Sequence, residues 1–493
     1  MKFRLSADLE KREKADLLVL PVWEGLKEAA EFGSLKKKLA LLLESGDFKG
    51  KQGETAAVYW EGEKEPRALL LGLGKTGLLT AESLRRSFAA AVGWAQRKKI
   101  KRAHFLFPKT KLEREAAVRG FFEGIFLSNY AFSELKSASL KDDPVVLLEW
   151  AGLIGLGKQD EPLLETLQII GEGVFFARDL VNGNADDVTP KMLVDTAKKL
   201  AAASKKLKVT LFDKKRLEEE KMGLILAVNR GSDHDPYLIQ LAYQGNPGSK
   251  DHVVLVGKGI TYDTGGLSLK PTDGMLTMKC DMSGAAAVLG AVQVAEALGL
   301  KINVTAVAPV TENCIDGRAF KPGDVYRAYN GKTVEIKNTD GEGRLILADA
   351  MSYAVQHLKP TCIVDIATLT GSIVVALGEE MSGLFSEDES LAKQLLKAAQ
   401  ETSETLWRMP LNADYRESLK SDIADLVNTT PGRDGGAIKA ALFLKEFVQE
   451  TPWAHIDAAG PCFLTKPKDY NPTKATGYGV RLFVEFLQQR ASS

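Results

Sequence analysis

The sequence predicts an α/β protein of two domains, a smaller N-terminal α/β domain and a larger C-terminal one built on a central mixed sheet flanked by helices. Three observations point there. At 493 residues the chain exceeds what one ordinary core organises. Short apolar runs alternate with stretches of helical spacing through both halves. A composition 45% apolar and 26% charged is that of a globular chain.

In the N-terminal domain, residues 1–160, the segments ADLLVLPV (15–22), TAAVYWEG (55–62), RALLLGLG (67–74) and AHFLFP (103–108) read as strands. AESLRRSFAAAVGWAQRKK (81–99) and REAAVRGFFEGIFLSNYAF (114–132) have helical spacing, so the sheet is expected to be largely parallel. The pattern turns irregular over 135–162, and residues 161–182 are expected to form a connecting helix. In the C-terminal domain, residues 183–493, VVLVGKGI (253–260), INVTAVAPV (302–310), TVEIKN (333–338), TCIVDIATL (361–369) and WAHIDAAG (453–460) read as strands of one buried sheet. Helices fall between them at 284–299 and 344–358. The mixed-sign run KKLKVTLFDKKRLEEEK (205–221) is expected to be a solvated face.

Lys+Arg and Asp+Glu both total 65, so the net charge of zero gives no overall pull toward nucleic acid or an anionic membrane. The four cysteines, Cys280, Cys314, Cys362 and Cys462, form no C-x-x-C pair and are expected to be reduced and buried. The N-terminal stretch lacks a signal-peptide apolar core, and no uninterrupted apolar run approaches membrane-spanning length. A cytoplasmic protein with no membrane partner is expected.

GLGKTG (72–77) satisfies a dinucleotide-type glycine fingerprint between a strand and a helix. The next strand, however, ends in Pro108 and Lys109, where a ribose-binding acid is expected. Leu69 also occupies the upstream glycine position of a phosphate loop. A tight strand-to-helix turn is the better reading. No G-x-S-x-G elbow or H-E-x-x-H helix occurs, and the five histidines show no metal-ligand spacing.

Three C-terminal segments carry acidic residues at predicted strand ends and turns. In VGKGITYDTGGLSLKP (256–271) the strand should end near Lys258, and the DTGG turn brings Asp263 back. In MKCDMSGAAAVLG (278–290) Asp281 precedes an alanine-rich helix. In NTDGEGRLILADA (338–350) Asp340 and Glu342 stand two apart, and Arg344 opens a helix. Each is explicable alone, as a cap, a turn residue or a surface lysine. Together, four converging carboxylates would raise one another's pKa unless cations joined them. Two divalent ions balance four carboxylates, and Lys258 would serve as a neutral amine ligand because nearby cations depress its pKa. An oxygen-rich set suits Mg, Mn or Zn.

These segments closely resemble the signatures of the leucyl aminopeptidase family, the cytosol aminopeptidases. The family hallmark N-T-D-A-E-G-R-L stands here as NTDGEGRL, 338–345. The similarity runs through much of 170–490, including ARDLVN (177–182) and ATGYGVRLFVEFL (475–487), and more weakly into EGIFLSNYAF (123–132). The resemblance implies a macro-like N-terminal domain and a catalytic metallopeptidase domain. It implies that Asp263, Asp340 and Glu342 hold one metal, the Asp340 carbonyl assisting. Lys258, Asp263, Asp281 and Glu342 then hold the other. Lys270 and Arg344 match catalytic basic residues, and Met278, Asn338, Thr368, Leu369 and Gly371 match positions lining the substrate site. Gly341 departs from the usual alanine and loosens the backbone between two ligands. NGNADDVTP (182–190) also departs and carries no assigned role.

The implied reaction releases N-terminal amino acids, leucine-type ones preferred, by a water activated between two ions. Lys270 would stabilise the oxyanion. Arg344 stays protonated and is no base, so the resemblance assigns it a bicarbonate ion that relays the proton. A homohexamer acting on peptides is implied. Three rivals remain open: an additional DNA-binding role known in relatives, a catalytically silent scaffold, and a nucleotide-dependent enzyme using 72–77. Zero net charge gives the first no support. All five candidate ligands are present, against the second.

Overall fold

The structure, a computed structural model, describes residues 1–25, 32, 35–61, 63–137, 145–432 and 434–492. It forms two compact units, Met1–Gly171 with Lys466–Thr473, and Glu172–Thr465 with Lys474–Ser493. The helix expected as a connector runs unbroken from Glu161 to Asn182, and the division falls within it.

The first unit holds β1 (Lys2–Ser6), β2 (Leu17–Val22), β3 (Thr55–Tyr59), β4 (Arg67–Gly72), β5 (Arg102–Leu106) and β6 (Trp150–Ile154). They pair in the order β1-β6-β5-β2-β4-β3, parallel throughout except β3 against β4. Every residue of β2, LLVLPV, is buried, as in a parallel strand covered on both faces. β1 and β6 were not expected; β1 hides in an alternation of charge and apolar residues, and β6 lies in the stretch that reads as irregular. Helix Ala81–Arg97 starts at Thr80, whose hydroxyl accepts the Ser83 N–H while the Ser83 hydroxyl accepts that of Thr80. The turn GLGKTG packs closely on the chain before it: a Cβ on Gly72 would lie 1.9 Å from the Lys51 carbonyl. Backbone crowding therefore accounts for that glycine.

The second unit contains, in chain order, β7 (Leu207–Phe212), β8 (Tyr237–Gln244), β9 (His252–Gly257), β10 (Gly259–Asp263), β11 (Asn303–Asn313), β12 (Val325–Arg327), β13 (Thr333–Glu335), β14 (Cys362–Ala367), β15 (Ser382–Phe385), β16 (Leu406–Arg408), β17 (Leu426–Val427) and β18 (Trp453–Asp457). The main sheet is mixed, ordered β16-β15-β18-β14-β9-β11-β8-β7, with β10 also on β11. Its centre, β18-β14-β9-β11, is parallel; β15 against β18, β8 against β11 and β7 against β8 are antiparallel.

Four expectations change. Residues 205–221 are not merely a solvated face: Leu207–Phe212 is an edge strand, its ends buried and Lys208 exposed, followed by a short helix at Lys214–Glu219. The run expected over 333–338 yields only β13, which joins β12 and β17 in a separate three-stranded sheet. The strand β8, unannounced among the expected ones, is buried at most positions. Cys314 is only half-buried, unlike Cys280, Cys362 and Cys462.

Two helices pack tightly enough to carry the site. Ser283–Ala297 is apolar nearly all round and buried along most of its length. The most apolar 18-residue window within Thr272–Ala297 is 72% buried within the structure, so its hydropathy serves the core. Glu342–Tyr353 is buried at every position, its Leu345, Ile346, Leu347 and Met351 joining the principal core.

Candidate active site

The central parallel strands end at one edge of the sheet, and the residues at or just past those ends build a cleft. β9 ends at Gly257 and is followed by Lys258; β14 ends at Ala367 and is followed by Thr368. β11 ends in Asn313 and β18 in Asp457. The carboxyl edge of an open α/β sheet is where such folds place their sites. Lys258 sits where the chain leaves β9 and shifts to pair with the far half of β11 as β10; its N–H donates to the Ile366 carbonyl, and its own carbonyl accepts from Ala285. The single strand expected over 253–260 is thus broken at the residue that carries the amine.

The three acidic segments meet here. Lys258 Nζ lies 2.8 Å from Asp281 Oδ2 and 2.7 Å from Glu342 Oε1, and it donates to the Thr368 carbonyl at 3.0 Å. Lys270 Nζ lies 2.9 Å from Asp263 Oδ2 and 2.5 Å from Asp340 Oδ1. Asp263, Asp340 and Glu342 each present an oxygen within 4.8 Å of the other two. The DTGG turn adopts positive φ at Gly265 (85°) and Gly266 (63°), which returns the chain toward Lys270. Gly343 leaves room for the lysine: a Cβ there would lie 2.5 Å from Lys258 Cε.

Several positioning groups were not foreseen. Asn313 donates to Asp263 Oδ1 at 2.8 Å and to the Thr339 carbonyl at 3.0 Å, tying one acidic segment to another. Thr339 donates to the Gly265 carbonyl and accepts the Ser268 N–H. Asn428 brackets the hallmark loop, accepting from Lys337 N–H at 2.8 Å and donating to the Asn338 carbonyl at 2.7 Å; its carbonyl accepts from Arg344. Asp457 accepts the N–H of Leu369 and the hydroxyl of Thr370. No local motif marks Asn313, Asn428 or Asp457; their only signal is a polar residue closing or following an apolar run.

Electrostatically the site is short of positive charge. Burial, with Glu342 and Asp281 as neighbours, raises the Asp263 carboxyl well above the usual range, and Lys270 and Lys258 only partly oppose this. Burial pushes Asp281 up to about 6 although Lys258 pulls it down. Asp340 is raised by burial and by Glu342. Glu342 is held low in spite of burial, because both lysines face it. Burial lowers the amine pKa of Lys258, yet Asp281, Glu342 and Asp263 overcome it and keep the group charged. The neutral amine expected from the sequence therefore requires further cations in the site. The donor set fits them: clustered carboxylate oxygens suit hard divalent ions, and Glu342 Oε2 is buried with no hydrogen-bond partner among the described residues.

The cleft has a volume of about 540 Å³, within the range of small-ligand sites. Its lining includes all twelve residues named from the sequence: Lys258, Asp263, Asp281, Asp340, Glu342, Lys270, Arg344, Met278, Asn338, Thr368, Leu369 and Gly371. Met278 opens a short turn leading to Asp281, and Gly371 opens the helix Gly371–Leu377. Asn338 Oδ1 accepts the Asp340 N–H at 2.8 Å, and the Thr368 hydroxyl donates to Asp281 Oδ1 at 2.7 Å.

A carboxylate-rich cleft at the carboxyl edge of a mixed sheet is the kind of site that metal-dependent hydrolases use. The chain belongs to the cytosol aminopeptidase family: a model of that family's catalytic domain matches residues 175–484, and one of its N-terminal domain matches residues 19–139. It is an aminopeptidase, a hydrolase of a metal-dependent family. A probable cytosol aminopeptidase of Protochlamydia amoebophila is 52% identical over 99% of both chains, and one of Chlamydia abortus is 43% identical over 99% of both. Among solved structures, a tomato leucine aminopeptidase mutant superposes with a TM-score of 0.89 at 32% identity, covering 99% of this chain and 96% of that one. The bottromycin maturation enzyme BotP, solved in complex with Mn, gives 0.86 at 32% identity, covering 97% and 100%.

Proposed function

We propose that this aminopeptidase releases N-terminal amino acids from peptides, leucine-type residues preferred, with two divalent ions in the cleft. The observation that carries this reading is the meeting of Lys258, Asp263, Asp281, Asp340 and Glu342, from three distant segments, at one sheet edge. Asp263, Asp340 and Glu342 would hold one ion, with the Asp340 carbonyl, and Lys258, Asp263, Asp281 and Glu342 the other. Bound there, such ions supply Lewis acidity and make a water acidic enough to lose its proton near neutral pH. Mn is favoured by the Mn-bound relative, with Zn and Mg as alternatives.

The chain's own residues do the rest. Lys270 stays an ammonium, because Asp263, Glu342 and Asp340 outweigh its burial, and it is placed to donate to a developing oxyanion. The buried Arg344 donates through Nη1 to the Asn428 carbonyl, and its Nε has no partner among the described residues, so it has donors left to hold a bicarbonate ion that carries the proton. Met278, Asn338, Thr368, Leu369 and Gly371 form the walls that orient the peptide. The relatives' naming supports a cytoplasmic location, and the family resemblance supports a homohexamer.

Hydrolysis of a leucine naphthylamide before chelation, after it, and with Mn, Zn or Mg restored tests the reading. Activity should vanish with the metal and return with at least one ion. A preparation shown to be metal-free that hydrolyses at the original rate would overturn it.

A further inference from the structure

Among the described residues, four cationic side chains line the cleft: Lys258, Lys270, Arg344 and Lys439. The first two are engaged by carboxylates, and Arg344 is held against the Asn428 carbonyl. Lys439 has no carboxylate within ion-pair distance among the described residues. Its Nζ lies over the ring of Tyr415, 5.7 Å from the centroid. Lys439 lies three residues into the helix Gly436–Lys445, near the positive end of the helix dipole, where a cation is unfavourable. Helix stability therefore does not account for it.

It shares the lining of the cleft with the reacting groups. Gly436, one turn before Lys439, packs so closely on Ser372 that a Cβ would lie 2.4 Å from the serine Oγ. Ser372 follows Gly371 at the start of the helix Gly371–Leu377, and the loop just before that helix presents Thr368 to Lys258 and Asp281. The acidic residues of the lining come from the other segments, 263–281 and 340–342. The carboxylates of the lining thus belong to those segments, while Lys439, from the helix Gly436–Lys445, offers a cation with no carboxylate partner among the described residues.

An aminopeptidase substrate has matching polarity: its free amine goes to the acidic side, and the leaving portion extends away from it. In a dipeptide the terminal carboxylate follows within two residues, about 7 Å of extended chain. We propose that Lys439 binds a carboxylate on the leaving side of the peptide, making this enzyme selective for short or acidic peptides. This rests on the reading of the cleft as the peptide site. The carboxylate has two possible sources, the C-terminus of a dipeptide or an acidic side chain following the scissile bond.

The test compares kcat/KM for Leu-Gly with Leu-Gly-amide, and for Leu-Asp-amide with Leu-Asn-amide, in the wild type, Lys439→Met and Lys439→Arg. A charge-assisted contact of this kind gives a preference on the order of tenfold, carried mainly by KM. The wild type should show that preference in at least one pair, and which pair shows it identifies the source. Lys439→Met should bring the ratio toward one, and Lys439→Arg should keep most of it. Lys439→Gln serves as a second neutral variant should the methionine form misfold. Equal ratios in the wild type and the neutral variant, or no preference in the wild type, would overturn the assignment of Lys439 alone. Failure of the wild type to cleave any of these peptides, or a leucine anilide, would instead overturn the reading of the cleft.

Discussion

Asp457 holds Thr370 from two sides: its Oδ2 accepts the threonine hydroxyl at 2.7 Å, and its Oδ1 accepts the threonine N–H at 3.4 Å and that of Leu369 at 3.1 Å. The loop so fixed is the one whose Thr368 receives Lys258 on its carbonyl and offers its hydroxyl to Asp281. Asp457→Ala would leave buried donors unpaired, lowering stability by about 3 kcal/mol. It should also weaken metal retention, since Lys258 and Asp281 lose their common support. Thermal unfolding and metal content after dialysis check this; a variant that keeps wild-type metal content would show that the loop holds its place without Asp457.

Lys270 bridges Asp263 and Asp340 in the cleft. If its ammonium serves the transition state, Lys270→Ala should lower kcat by roughly two orders of magnitude while KM changes much less. A rise in KM with kcat retained would assign the lysine to ground-state binding instead.

The parts of the site legible in the sequence were those with local signals. Asp263 precedes paired glycines, Asp340 and Glu342 share a short loop, and Lys258 stands at the end of an unbroken apolar run. Asn313 and Asn428 were hidden because their partners lie far along the chain: Asp263 is 50 residues from Asn313, and Asn338 is 90 from Asn428. An asparagine closing a strand looks like any turn residue until tertiary structure supplies what it holds. The same holds for the fold. Wholly apolar β2 and the largely apolar β9 and β14 were plain, whereas β7 was masked by lysines on a half-exposed edge, where only one face needs to be apolar. β13 has the sequence of a core strand, but pairs with β12 and β17, a choice periodicity does not encode.

Gly341, where the family hallmark carries alanine, has a structural counterpart in Thr429. A Cβ at 341 would lie 2.6 Å from Thr429 Cγ2 and 2.9 Å from Asn428 Nδ2, so the threonine methyl occupies the space that alanine would need. Gly341→Ala should therefore destabilise by about 1–3 kcal/mol and disturb the adjacent Asp340 and Glu342. Adding Thr429→Ser removes the methyl and should recover much of that loss. A double-mutant cycle on unfolding free energy measures the coupling, and simple additivity would mean that the two positions do not compete.

Asp349 provides a test by pH away from the cleft. It is fully buried, its Oδ2 accepting the N–H groups of Leu224 and Ile225 at 2.9 and 3.0 Å, and its Oδ1 that of Tyr329 at 2.8 Å. Burial pushes its carboxyl up to about 7, although the three donors oppose the shift. The unfolded chain releases this proton near the ordinary value of 3.8, whereas the folded chain keeps it to about 7. Stability from this group is thus present below pH 4 and is lost as pH rises toward 7, by an amount on the order of 4 kcal/mol. Asp349→Asn has no proton to exchange. The difference in unfolding free energy between wild type and variant should therefore shift against the wild type between pH 4 and 7, then level off. A difference independent of pH over that interval would mean that the three N–H donors hold the carboxylate ionised.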